Sequence, residues 1–204
     1  MIALIDYQAG NLTSVKKALA AIGADVFIPD APGDLAGAVG IIVPGVGHFG
    51  ATRALDQPWI DAILARVNDG RPLFGICLGM QWLFEGSEEA PELPGLGLLS
   101  GRCYRLPTVR LQPDRVVKVP HVGWNSLAIR REGGLLDGVP MGAQVYFTHS
   151  YVAPDTADTS ASTDHGDTFA AVVQRGHIGG VQFHPEKSGD VGLRILRNFV
   201  ELAR

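Results

Sequence analysis

Cysteine is nearly absent from this chain: only Cys77 and Cys103 are present among 204 residues. Two cysteines do not make a disulfide framework, so a reducing, cytoplasmic setting is the expectation. Charge is also sparse, at 19% of residues with a net charge of −4, below the ~25% of an average globular chain. No block of Lys and Arg occurs, which argues against nonspecific nucleic-acid binding. Long apolar runs are missing too. The longest charge-free stretch, residues 35–52, holds five Gly and one Pro, whereas a membrane-spanning helix needs about 20 predominantly apolar residues. The opening Met-Ile-Ala-Leu-Ile-Asp has no basic region before it and no cleavage site, so no signal peptide is expected. Glycine is plentiful, 26 residues, but without a three-residue period, which excludes collagen. A hydrophobic content of 46% excludes disorder. There is no internal repeat and no linker, and a length of 204 residues predicts one domain spanning 1–204.

What is present begins as strand, turn, helix. Ile2, Ala3, Leu4 and Ile5 form a short apolar run of the kind buried in parallel sheets. Asn11 is placed to cap a helix whose face is Leu12, Val15, Leu19 and Ile22, closed by Gly23. Further strands are predicted at 24–28, 40–43 and 73–76, with a helix at 58–67. Alternating strands and helices imply βαβ units and a mostly parallel sheet. The second half has strand-like runs at 116–119, 144–148, 168–174 and 178–183, then a final helix at 191–203. Residues 155–167, rich in Asp, Thr and Ser, read as an exposed loop, with His165 solvated in it and His177 at a surface turn. The expected fold is an α/β layer with a β-rich continuation.

Three segments carry chemistry. Gly75-Ile76-Cys77-Leu78-Gly79 follows a strand and precedes a helix, the layout of a nucleophile elbow. The helix start should favour thiolate at Cys77, and the Leu78 N–H is placed as an oxyanion donor. The alternative is a buried structural cysteine, which is the reading for Cys103. His184-Pro185-Glu186 ends an apolar run, where the imidazole would serve as base and Glu186 would orient it. Pro44-Gly45-Val46-Gly47 follows another strand, and its backbone N–H groups could face an anion. It fails the Walker pattern, and its match to a dinucleotide fingerprint lies outside the first strand–helix turn.

Together, Gly-Ile-Cys-Leu-Gly-Met-Gln (75–81) and Gly-Val-Gln-Phe-His-Pro-Glu (180–186), about a hundred residues apart, resemble the class I (triad) glutamine amidotransferase domain. The agreement extends to one branch of that family. It is carried by Asp6-Tyr7 with Gly10-Asn11-Leu12, Pro120-His121-Val122-Gly123-Trp124-Asn125, Tyr146-Phe147 with His149-Ser150-Tyr151, and Lys187-Ser188-Gly189. One departure is Gln8, where the family usually has Gly.

The resemblance implies a flavodoxin-like, mostly parallel sheet with helices on both faces and an additional antiparallel section. It implies hydrolysis of glutamine by Cys77, His184 and Glu186, with Leu78, Gly45, Val46 and Gly47 holding the oxyanion. Gln81 and Glu89 would contact the amino-acid end of the substrate, their alternative being a solvated helix face. His149, Ser150 and Tyr151 would line the pocket, mostly through backbone. No metal or organic cofactor is implied. Ammonia would pass to a separate (β/α)8-barrel cyclase, because this chain contains no pattern of eight strand–helix units. Asn11, Trp124 and Lys187 are the interface candidates, Trp124 having a core aromatic as its alternative.

Overall fold

The computed structural model describes residues 1–112 and 115–204, and of residues 110–112 and 115 the backbone alone. The first half runs β1 (Ile2–Leu4), α1 (Leu12–Ala21), β2 (Val26–Phe27), β3 (Gly40–Val43), α2 (Gln57–Asn68), β4 (Leu73–Ile76) and α3 (Leu78–Trp82). Short strands follow as β5 (Gly86–Ser87), β6 (Arg102–Arg105), β7 (Val109–Gln112), β8 (Arg115–Val117), β9 (His121–Ser126) and β10 (Ala128–Ile129). The chain then forms β11 (Gln144–His149), β12 (Tyr151–Val152), β13 (Thr159–Asp164), β14 (Thr168–Arg175), β15 (Ile178–Val181) and α4 (Gly189–Leu202).

Eight strands form the main sheet in the order β10-β13-β14-β15-β4-β3-β1-β2. From β2 to β15 the pairing is parallel, and β14, β13 and β10 extend the sheet antiparallel. Burial explains the division. Every residue of β1, β3, β4 and β15 is buried, as expected where helices cover both faces of parallel strands. Alternate residues feed two cores. Leu4, Ile42, Phe74 and Ile76 meet Leu19, Leu196 and Phe199 of α1 and α4 on one face. Ala3, Ile41, Val43 and Leu73 meet Ile63 and Val67 of α2 on the other. Phe74 and Phe199 stack with centroids 5.0 Å apart. The fold is therefore the mostly parallel layered sheet with an antiparallel section that the resemblance implied.

Local signals explain the helix starts. The Asn11 side chain accepts from Ser14 N at 3.3 Å, and Asp56 caps α2 by accepting from Trp59 N at 3.4 Å. Gly23 turns left-handed after α1, with φ 73°.

The expected loop at 155–167 is a correction. Its middle is β13, which lies inside the main sheet, and all but its last residue are buried. It has no apolar alternation because its small hydroxyl side chains are satisfied internally. Thr163 Oγ1 donates to Ser126 O at 3.0 Å, and Ser160 Oγ accepts from Arg131 at 3.2 Å. His165 is likewise not merely solvated: its ring stacks on His121 with centroids 3.9 Å apart, and its Nε2 lies 2.8 Å from Lys118 O. His177 does sit at the β14–β15 turn, but it is half-buried, with Nε2 2.9 Å from Val67 O. Among the described residues no helix is long and apolar enough to cross a membrane.

Candidate active site

β4 ends at Ile76, and Cys77 turns the chain into α3 with φ 52° and ψ −107°, a conformation that ordinary residues avoid. Gly79 and Gly75 make this turn possible. A Cβ on Gly79 would collide with the Val43 carbonyl, and one on Gly75 would meet Met80 N and the Gly79 backbone. The elbow is pinned by Cys77 N donating to Val181 O at 2.8 Å and by Gln81 N donating to Cys77 O at 3.1 Å. The helix that follows is only five residues long. Five residues give no long aligned dipole, which narrows what was expected of the helix start.

β15 lies beside β4 and parallel to it, with Val181 paired to Ile76. The residues after the two strands therefore emerge at the same sheet end, which brings distant sequence motifs together. His184 N donates to Tyr146 O at 2.9 Å, and the Ser188 hydroxyl donates to His184 O. The His184 and Glu186 side chains are 2% and 1% exposed, and Nδ1 lies 2.9 Å from Glu186 Oε1. That bond places the Nδ1 proton toward the carboxylate. Nε2 is buried without a partner at hydrogen-bond length, and its titrating neighbour is Cys77. Burial pulls the His184 pKa down, but Cys77 and Glu186 outweigh it and raise it to about 10. A protonated imidazole beside a sulfur, backed by a carboxylate, can give and take one proton in turn.

A cavity of about 360 Å³ opens on Cys77, and Gln81, Glu89, His149, Ser150 and Tyr151 all line it, with Val46, Gly47 and Leu78. Several of these side chains are already committed. Gln81 is buried, and its Nε2 donates to Tyr151 O at 2.8 Å and to Gln182 Oε1 at 3.1 Å. Glu89 Oε2 accepts from Phe49 N at 2.7 Å. His149 Nε2 lies 3.2 Å from His121 Nδ1, so its ring faces another imidazole.

The glycine loop departs from expectation. Val46 N donates to Ala9 O at 2.6 Å, and Leu78 N donates to the Gly45 carbonyl at 3.4 Å. Gly45 thus presents an oxygen to the elbow, and the Val46 donor is spent on the β1–α1 loop. Gln8 in that loop sits at φ 63° with its N–H bonded to Asp6 Oδ1 at 2.9 Å, the backbone shape that explains a family glycine there. Of the interface candidates, Asn11 is exposed but its side chain caps α1. Trp124 is 56% exposed, which removes the core reading. It stands edge-on to Tyr146 at 6.0 Å, and Lys187 Nζ lies 5.7 Å from the same ring. Among the described residues no cluster of three or more His, Cys, Asp or Glu is placed to hold a metal ion.

The model of the family "Glutamine amidotransferase class-I" matches residues 3–202. The chain belongs to the class I glutamine amidotransferase family. Among curated relatives, the imidazole glycerol phosphate synthase subunit HisH of Moorella thermoacetica is 46% identical, covering 100% of this chain and 95% of that protein. The subunit of the same name from Halobacterium salinarum is 48% identical over 98% of this chain and 92% of its own. A crystal structure of a glutamine amidotransferase superposes with a TM-score of 0.76 at 24% identity, covering 100% of this chain and 99% of that one, a likeness of fold.

Two residues named in the motifs but given no role there also stand at this amidotransferase site. Tyr7 is buried with its hydroxyl unpartnered, close enough to Cys77 for the sulfur's charge to raise its pKa, after the larger effect of burial. Gln182, fully buried, lies 3.7 Å from Cys77 Sγ. The available signal was a polar residue inside the apolar run 178–183.

The histidines give the molecule an expected pH signature. Burial, and then His165, lowers the His121 pKa to about 4, and burial with His121 lowers His149 well below its ordinary value. Below the unfolded value of about 6.5, the unfolded chain takes up protons that these folded rings refuse. Their contribution is therefore complete above about 6.5 and lost as pH falls toward 4. His184 acts oppositely: its contribution is complete below about 6.5 and lost as pH rises through about 10. Urea midpoints are expected to peak near neutrality and to fall at pH 5. A flat profile from pH 5 to 6.5 would contradict the buried, neutral state of His121 and His149.

Proposed function

We propose that the chain is the glutaminase subunit of an imidazole glycerol phosphate synthase. The observation that carries this is identity of 46% and 48%, over almost the whole length, to subunits of that name. In this reading the Cys77 thiolate attacks the side-chain carbonyl carbon of glutamine, forming a C–S bond and an oxyanion. As the C–N bond breaks, His184 delivers its Nε2 proton to the departing nitrogen, and NH3 leaves. Water then attacks the thioester while Nε2 takes its proton. The C–S bond breaks, the new carboxyl gives up its proton to solvent water, and glutamate departs with thiolate and imidazolium restored. Glu186 orients His184 throughout. Leu78 N–H serves the oxyanion once the Gly45 carbonyl turns away, with Val46 and Gly47 as further backbone donors.

Gln81, Glu89, His149, Ser150 and Tyr151 form the glutamine pocket in this reading, and residues 1–204 act as one amidotransferase domain. The partner is a separate (β/α)8-barrel cyclase, docked over Asn11, Trp124 and Lys187. Exposed Val122 and Trp124, 58% and 56% accessible, support a covering subunit there. The cyclase would use ammonia to convert a phosphoribulosyl-formimino aminoimidazole carboxamide ribonucleotide to imidazole glycerol phosphate and aminoimidazole carboxamide ribotide, in histidine biosynthesis. Two buried free thiols suit a cytoplasmic setting. Coexpression with a candidate barrel cyclase tests the proposal. Copurification and glutamine-dependent formation of imidazole glycerol phosphate are expected. Glutamine-dependent turnover solely with an anthranilate or guanylate synthase would overturn it.

A further inference from the structure

Hydrogen-bond polarity around Cys77 can be fixed from one atom whose role is not in doubt. The Tyr151 carbonyl oxygen can only accept. It lies 2.8 Å from the Gln81 side-chain amide, so the Gln81 atom facing it is the NH2 group. That same NH2 is 3.1 Å from the Gln182 amide, which must therefore present its oxygen to Gln81. The Gln182 NH2 is then the group turned to Cys77 Sγ, 3.7 Å away. Both glutamines are buried, Gln182 completely and Gln81 to within 4%. Gln182 is further held by its own N–H, which donates to Ala171 O at 2.9 Å.

We propose that Gln182 is a fixed hydrogen-bond donor to the Cys77 sulfur, locked in that sense by Gln81, and that it stabilises the thiolate. The proposal rests on Cys77 being the nucleophile and gives that site a further catalytic residue. The sulfur lies near Tyr7 after β1 and His184 backed by Glu186, and the cavity it opens on is also lined by Glu89 and by His149 at the end of β11. His184 changes protonation in each half of the proposed cycle. The Gln182 amide never ionises, so it remains a donor both when the thiolate attacks and when it is expelled. Gln81 lines the substrate cavity, so the same amide chain that polarises the sulfur also shapes the pocket.

Alkylation of Cys77 by iodoacetamide in the full chain, followed by mass spectrometry from pH 4.5 to pH 9, tests this. Cys103 is fully buried, and burial raises its pKa, so it serves as an internal unreactive thiol. Gln182→Met keeps bulk but loses the donor, and its curve of rate against pH is expected to move to higher pH by about tenfold in proton concentration, the worth of a hydrogen bond to a charged group. On the plateau, where the thiol is ionised in both proteins, the rates should agree within a factor of a few. Gln182→Glu keeps the shape and the oxygen toward Gln81 but sets a carboxylate beside the sulfur, so its curve should move further. Thermal melting at each end of the range confirms folding, and the near-isosteric Glu variant carries the test if Met does not fold. An unmoved curve, or one lowered equally at every pH, would overturn the role of Gln182. A wild-type Cys77 no faster at pH 7 than a cysteine in an unstructured peptide would strike the nucleophile assignment itself, and this proposal with it.

Discussion

Cys77→Ala is expected to lower glutamine hydrolysis by at least about 10⁴-fold, because no other group can form the thioester. The same variant should leave ammonia-driven turnover of the assembled synthase intact, since that route bypasses the elbow. Folding should change little. The side chain is small, and the turn is fixed by backbone bonds from Cys77 N to Val181 O and from Gln81 N to Cys77 O. The measurements are glutamate release, product formation from ammonium salts and a thermal melt on one preparation. Substantial glutamate release with the melt unchanged would remove Cys77 from the chemistry. Loss of the ammonia-driven reaction would mean that the substitution disturbs the complex rather than the nucleophile.

Gly79→Ala is expected to destabilise the fold strongly with a single methyl group. Its Cβ would overlap the Val43 carbonyl oxygen. Val43 belongs to β3, which is held between β1 and β4, so that oxygen has nowhere to move. Overpacking costs typically 1–3 kcal/mol, and a rigid backbone wall puts this case at about 3 kcal/mol or more. For a chain of this length that is a fall of about 10 °C in Tm, with lower soluble yield. Gly37→Ala is the control, since a Cβ there meets nothing within 4 Å. A Gly79→Ala protein that melts with the wild type would disprove the close approach of β3 to the elbow.

What was legible in the sequence follows from which forces leave a local trace. Fully buried parallel strands leave apolar runs, and β3 and β4 fall at 40–43 and 73–76 as those runs predict. The elbow was legible because a tight turn needs glycine on both sides of the nucleophile. β13 was not, because its hydroxyls find partners at Thr156 N, Arg131 and Ser126 O, and a Thr/Ser run has the composition of a loop. The orientation of the glycine loop was also hidden. It depends on which of two carbonyls the Val46 and Leu78 N–H groups find, Ala9 and Gly45, and that is decided by segments distant in the chain. Gln182 was visible as a polar residue in an apolar run and as a member of the 180–186 motif, but with no role attached. Its partner across 105 residues of chain could not be read locally.

The position of β15 also sets an order in time. This strand enters between β4 and β14 and is the last to be made. Until it arrives, β4 and β14 each present an unpaired edge, and the elbow at Cys77 lacks both its tie to Val181 O and the His184 that follows. Pairings of such long range close slowly, and open edges are where unfinished chains stick to one another. A growing chain therefore carries Cys77 without His184 and Glu186 until β15 and the turn after it have been made. Glutamine would then meet a working site only on a molecule whose central sheet is already closed.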